Sequence, residues 1–445
     1  MLGPIILYEK LNISKTESHI FILSMPVLSI KNKDGKKKVG LLFFEKCFGV
    51  VRRIYNKVIA TPIKKKKQKK NEILLRKNQE KKYVELQTKL KNGEKIKVCL
   101  FVSRISCWTF ASLYKLLQRS KCFEPIVVVK PFMFQGHEAM MDYMNVTYNK
   151  LKTEGYNVIK TYDEETGMFL DLKKTINPDI LFYTKYWIKQ FHPNYYISNF
   201  LDKITFYTSY CFDIAHHPEV MNFELNNKVD RYFMASNIHK AMAVQAMDNK
   251  AKNVYVVGSP KLDVFFDKTY KAMDVWKPQK KKKKRIIWAP HHSDQFPQHL
   301  YQFNAFYELT EFMLDLARKH ENEIQIAFKP HPMLLPYLYK KWGKESADAY
   351  YEKWANLSNG QLETGEFIDL FLTSDAMILD SISFIAEYTA VNKPAFFTVG
   401  SASRVNLNEF GTINFEVLYN TQTNLKEDIE KFIVDVVING EDYKK

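Results

Sequence analysis

The chain has 445 residues, 46% of them hydrophobic, and 66 Lys plus Arg against 49 Asp plus Glu give it a formal net charge of +17. The excess is local: residues 1–95 hold 24 basic and 8 acidic residues, while the remaining 350 are almost neutral at 42 against 41. This disfavours a uniformly basic nucleic-acid-binding domain and describes a basic extension on a neutral body large enough for two domains.

Residues 1–95 read as a basic amphipathic extension. Two apolar-rich stretches, HIFILSMPVLSI and VGLLFF, flank Asp34-Gly35, a dipeptide suited to a tight hairpin turn, so a two-stranded hairpin is expected within 19–44. The following LLFFEKCFGVVRRIYNKVIA has a helical apolar period broken by Lys46, Arg52, Arg53 and Lys57, as in a helix lying in a lipid interface. The lysine run Lys64–Lys70 then adds attraction to an anionic leaflet. A solvated lysine tail joined to a helix docked on the body fits the same residues. Nucleic-acid binding is disfavoured, because stacking aromatics are not interleaved with the basic residues.

From Ile96 short apolar runs alternate with amphipathic stretches of helical length. IKVCLFV, EPIVVVK, NVIKTY, PDILFYT, KITFYTS, DRYFMAS and NVYVVGS read as parallel strands with crossover helices, one Rossmann-like domain over 96–266. The segment 267–285, with a Pro and a second lysine run, reads as a basic linker. The alternation resumes over 286–445 with RIIWAP, EIQIAFKP, DAMILD and PAFFTV, separated by helical patterns at 300–320, 335–356 and 381–391 and closed by a helix near 425–438. The fold class is therefore α/β, with two doubly wound domains and a ligand cleft at the carboxyl ends of the strands. Five cysteines without a C-x-x-C pair read as a reduced, intracellular protein, and neither a signal peptide nor an 18-residue apolar run is evident.

The strand ends hold the candidate chemistry. In DAMILDSISFIAEYTAVNKPAFF a strand ends at Asp380, Ser381 and Ser383 open a helix, and Glu387 stands seven residues before Pro394. Free N–H groups and the dipole at such a helix start favour a diphosphate, and a carboxylate further along can accept from a ribose diol. An ordinary Ser N-cap with a solvent-facing Glu is the bland alternative. Two other strand ends present His291, His292, Ser293 and Asp294, and Lys329 with His331. Imidazoles there can donate to phosphate oxygens or move a proton, and Lys329 can neutralise phosphate charge.

The order A-P-x-x-x-D (Ala289 to Asp294), K-P-H-P (Lys329 to Pro332) and D-x-x-S with an acidic residue seven before Pro (Asp380, Ser383, Glu387, Pro394) resembles the CDP-glycerol glycerophosphotransferase family. The likeness is good over roughly 285–400, weaker over 96–265, where NPDILFYTKYW and VYVVGSPKLDVF fit, and absent from 1–95. It implies a GT-B architecture, a bacterial teichoic-acid or capsule transferase, a catalytic-site role for His331, diphosphate contacts at Ser381 and Ser383, and a ribose contact at Glu387. The family's teichoic-acid branch has a His-Gly after a first-domain strand that serves as acceptor base. Here KITFYTSYCFDIAHHP offers Tyr210, Cys211 and Asp213, with His216 and His217 further on.

The expected reaction is attack of an acceptor hydroxyl on the distal phosphorus of a CDP-polyol, with CMP leaving. His216, His217 or Asp213 would take the proton, and Lys329, His331, His291 and His292 would neutralise charge. No cofactor is expected, and no carboxylate cluster or Cys/His pair calls for a metal. The partners are a CDP-linked donor, a lipid-linked glycan acceptor and, through residues 1–95, an anionic membrane surface. This places the chain in the cytoplasm, peripheral on the inner face of the plasma membrane. A nucleotide-sugar glycosyltransferase, a nucleotide-sugar 2-epimerase and a non-enzymatic basic adaptor for lipid or RNA are the competing readings.

Overall fold

The computed structural model describes residues 9–14, 17–22, 25–33, 36–41, 79–187, 190–292, 305–380, 382–399 and 406–444. The chain divides into two units, 1–81 and 82–445. The first contains an antiparallel sheet of β1 (Glu9–Ser14), β2 (Glu17–Ile22), β3 (Met25–Lys33) and β4 (Lys36–Leu41), in the order β1-β2-β3-β4. Lys33 pairs with Lys36 across the expected Asp34-Gly35 reversal. The two-stranded hairpin is corrected to four strands. Ile22 pairs with Met25, so HIFILSMPVLSI, too long for an ordinary single strand, folds back on itself. The polar EKLNIS also joins the sheet through its backbone. The interfacial helix and the lysine run fall in 42–78, outside the described residues.

The second unit is built on two parallel sheets. The first contains β5 (Ile96–Val102), β6 (Phe123–Val129), β7 (Val158–Lys160), β8 (Ile180–Tyr183), β9 (Ile204–Thr208), β10 (Arg231–Met234) and β11 (Val254–Val256), ordered β11-β10-β9-β8-β5-β6-β7. Its central strands are continuous apolar runs because helices and loops cover both faces. Cys99, Phe101, Leu181 and Tyr207 pack on one side, and Val98, Leu100, Val127 and Val129 on the other.

The second sheet contains β12 (Lys284–Ala289), β13 (Ile324–Phe328), β14 (Gly360–Leu362), β15 (Ala376–Leu379), β16 (Ala395–Phe397) and β17 (Tyr419–Asn420), ordered β14-β13-β12-β15-β16-β17. The helix Ala305–Lys319 buries Phe306, Leu309, Met313, Leu316 and Ala317, the helical repeat that seats it on β12 and β13. The pattern at 335–356 divides into helices Leu334–Trp342 and Lys344–Asn356, because Gly343 takes a φ of 82° that only glycine adopts readily.

The expected linker is not free. Trp276 is buried and donates from its indole to Thr373, the Lys277 amide donates to Gln361, and Lys284 and Arg285 are already part of β12. Both sheets reverse strand order beside their first strand. The first reversal falls between β5 and β8, the second between β12 and β15. Doubly wound sheets place ligands in such crevices, at the carboxyl ends of the strands.

Candidate functional site

The carboxyl ends of β12 and β13, beside the second reversal, gather three imidazoles. His291 and His292 follow β12 and His331 follows β13; their ring centroids lie 4.2 to 4.8 Å apart, and His292 stacks on Tyr337 at 5.2 Å. Parallel pairing of β12 with β13 dictates this meeting, since Trp288 lies opposite Phe328 and both chains turn just beyond. The His331 amide donates to the Pro290 carbonyl at 2.9 Å. Its Nδ1 accepts from the Met333 amide at 3.1 Å, which puts the proton of the neutral ring on Nε2. Burial, then His292 and the Arg104 guanidinium, lower His331 to about 3, and burial with the neighbouring rings holds His291 well below its usual range. Burial thus disfavours the charged forms of His291 and His331.

Asp380, expected to touch the donor, is 2% exposed and braces the cluster from behind. Its Oδ1 accepts from the His291 amide at 2.6 Å. Burial pushes its carboxyl up to about 7, opposed by backbone N–H groups of His291, Ala305 and Phe306. Lys329 is also turned inward: its ammonium donates to the Gly365 carbonyl at 2.6 Å, and burial lowers it to about 8.

Glu387 is buried at 1% exposure and pairs with Lys261, which follows β11 of the first sheet. The solvent-facing alternative for Glu387 is thereby removed. Helical structure here begins with a 3-10 turn, Ile382–Phe384, which runs directly into the α-helix Ile385–Val391. Ser381 and Asp294 lie outside the described residues, as does the Ser383 side chain.

On the first sheet, a cleft of about 340 Å³ at the ends of β9, β10 and β11 is lined by Thr208, Cys211, Asp213, His239 and Ser259. Burial lifts the Asp213 carboxyl to about 6, with His217 pulling the other way. Its carbonyl accepts from His239 Nε2 at 3.1 Å and from the Asn408 amide group. Ala215 forms a β-bridge with Leu407, which ties this loop to the second half. His216 is exposed with its amide bonded to Asn406, and His217 Nδ1 lies 2.9 Å from Glu219.

The structure adds Lys261, Arg104 and His239. Lys261 and Arg104 were visible as cations just beyond strands, whereas His239 lies on a helix and had no signal. Ligand atoms of His291, His292 and His331 all lie within 4.8 Å of one another, a set that could hold a divalent ion such as zinc through the remaining ring nitrogens. The sequence reading did not anticipate that capacity, because the pair and the single His are separated by a strand and a helix.

Residues 204–404 match the family described as CDP-Glycerol:Poly(glycerophosphate) glycerophosphotransferase, a stretch that includes every candidate from Asp213 to Glu387. The chain is 26% identical over 176 residues to the teichoic acid ribitol-phosphate polymerase TarL of Staphylococcus aureus, covering 37% of this chain and 28% of that protein. It thus spans little more than a quarter of the curated relative. Similar solved structures include a UDP-N-acetylglucosamine 2-epimerase (TM-score 0.49, 15% identity, 79% of this chain and 89% of that one). Another is the Neisseria meningitidis UDP-GlcNAc 2-epimerase bound to UDP-GlcNAc (TM-score 0.49, 13% identity, 78% and 93%).

Proposed function

From this family match we propose that the chain transfers a polyol phosphate, glycerol phosphate or similar, from a CDP-linked donor to a membrane-linked teichoic-acid-like acceptor, releasing CMP. The observation that carries the reading is the three-imidazole cluster beside the second strand-order reversal, inside the matched stretch. The donor diphosphate would lie against His291, His292 and His331. An arriving anion would offset the burial that lowers His291 and His331, and Nε2–H of His331, clear of the Met333 contact, would donate to the oxygen that leaves with CMP. The ribose diol would compete with Lys261 for Glu387, with the serines at 381 and 383 beside the diphosphate.

The acceptor hydroxyl would attack the distal phosphorus in line, and Asp213 is the best-suited base. Its carboxyl is lifted to about 6, close to working pH, whereas His217 is engaged by Glu219 and His216 is turned to solvent. Such a transfer depends mainly on positioning and charge stabilisation. The basic residues of 1–95 would hold the chain against the anionic inner leaflet, at roughly 1 kcal/mol per Lys or Arg near the surface. Among the described residues no helix is long and apolar enough to cross a membrane.

Incubation with CDP-glycerol, CDP-ribitol and UDP-sugars tests the reading: CMP release is expected, and UDP release or an isomerised sugar would replace it. His331→Ala should lower CMP release by about two orders of magnitude. Unchanged turnover would remove His331 from the mechanism.

A further inference from the structure

The first sheet has its own crevice at the β5/β8 reversal, and it contains two lysines that the mechanism above does not use. Lys130 follows β6 and Lys185 follows β8; they are 3% and 5% exposed, and both line a cavity of about 430 Å³. Among the described residues neither ammonium has a carboxylate partner. Lys130 Nζ lies 3.9 Å from the centre of the Phe191 ring and 4.7 Å from that of Phe101, and Lys185 Nζ 4.8 Å from that of Tyr210. Burying two like charges side by side against aromatic faces is costly, and folds avoid it unless a counter-charge arrives. Tyr183, in the same wall, holds a buried hydroxyl without a hydrogen-bond partner. Glu224 at the edge is drawn to Lys228 at 2.5 Å.

We propose that this pocket binds a phosphate ester, the terminal polyol phosphate of the acceptor, with Lys130 and Lys185 on the phosphate oxygens and Tyr183 donating beside them. The aromatic walls exclude water and strengthen each ammonium–phosphate contact. Burial lowers Lys130 to about 7 and also lowers Lys185, so a bound phosphate would favour their charged forms. Arg104 Cζ and Lys185 Nζ lie 4.7 and 5.1 Å from the centre of the same Phe132 ring, and Gln135, three residues on, donates to the sulfur of Met333, two residues past His331. Both lysines precede the family-matched stretch, so the pocket's cations belong to the part of the chain that the match does not reach. Calling the ligand an acceptor rests on the proposed transferase reading; the pocket's anion chemistry does not.

The test is calorimetric titration of the full chain and of its Lys130→Met and Lys185→Met variants with glycerol 3-phosphate, inorganic phosphate and glycerol. Glycerol 3-phosphate should bind the unmodified chain, more tightly than inorganic phosphate, and each variant should weaken it about tenfold or more. Glycerol should not bind. Methionine keeps the stem and removes an unpaired buried charge, so thermal midpoints should hold or rise, separating lost binding from lost fold. Unchanged affinity in both variants overturns the site, and equal affinity for inorganic phosphate overturns the ester assignment. Lysine-dependent binding by a chain that releases no CMP from any CDP-polyol would sink the transferase reading and keep the pocket. CMP release with lysine-independent binding would do the reverse.

Discussion

The Lys261–Glu387 pair offers a direct measure of how strongly the two halves of the body are coupled. Its side chains are 11% and 2% exposed, and it joins the loop after β11 to the helix behind β15. Lys261→Met strands a carboxylate that has almost no solvent, at a cost of about 3–5 kcal/mol for a broken buried pair. Glu387→Gln should cost less, because the ammonium retains the Phe367 ring at 5.2 Å and a neutral amide can still accept from it. The double variant leaves no unpaired charge, so its loss should fall below the sum of the singles by roughly 2 kcal/mol or more. Urea unfolding of all four proteins, followed by tryptophan fluorescence, gives the coupling. Additivity within about 0.5 kcal/mol would show that solvent already screens the pair, and the picture of Glu387 as a buried group whose ribose contact must displace Lys261 would fall.

Three further outcomes are expected. The Asp380 carboxyl, raised by burial to about 7, stabilises the fold fully below its unfolded value near ~3.9, and that stability is lost as pH rises through 7. The thermal midpoint should therefore drop between about pH 4 and 7 and level off above, Asp380→Asn should flatten the drop, and an unaltered slope would contradict the assignment; Asp213, at about 6, accounts for part of what remains. A Cβ on Gly411 would stand 2.1 Å from the Ile214 carbonyl, so Gly411→Ala should lose about 1–3 kcal/mol despite its better helix propensity and shift the Asp213 loop. Gly365→Ala, with open space around it, should stay within about 0.5 kcal/mol, and equal melts for the two variants would refute the close approach. If the imidazoles act on phosphate directly, EDTA should leave CMP release within about twofold; loss of activity restored by zinc would reassign the cluster to a metal.

Buried parallel strands made most of the fold legible. β5, β6, β8, β12 and β13 are largely apolar runs covered on both faces, and their parallel pairing made the residues just beyond them the ones to weigh, among them His291, His292 and His331. β14 and β17, at three and two residues, are too short for any period, and the apolar run from His19 masked a reversal that depends only on pairing. Polar partners across the cleft were the harder part. Glu387 meets Lys261 across 126 residues, and Asp380 is seen to be a brace only when the His291 amide is found against it. Lys130 and Lys185 obeyed the strand-end rule too, but nothing local distinguishes an ammonium sealed among aromatics from one in solvent.

The docking of Trp276 reaches further than the fate of a linker. From Lys261 onward the chain already belongs mechanically to the second half: Lys261 is held by Glu387, Phe265 stacks near Phe371, Tyr270 bonds Asp369, and Trp276 follows. The covalent passage from the first sheet is then only Val257 to Pro260, with Gly258 at a φ of 88°. A rotation of one half about the other would have to be absorbed in those four residues, directly beside the lysine that a nucleotide ribose would release. Occupancy of the donor site and the freedom of that pivot would become one variable.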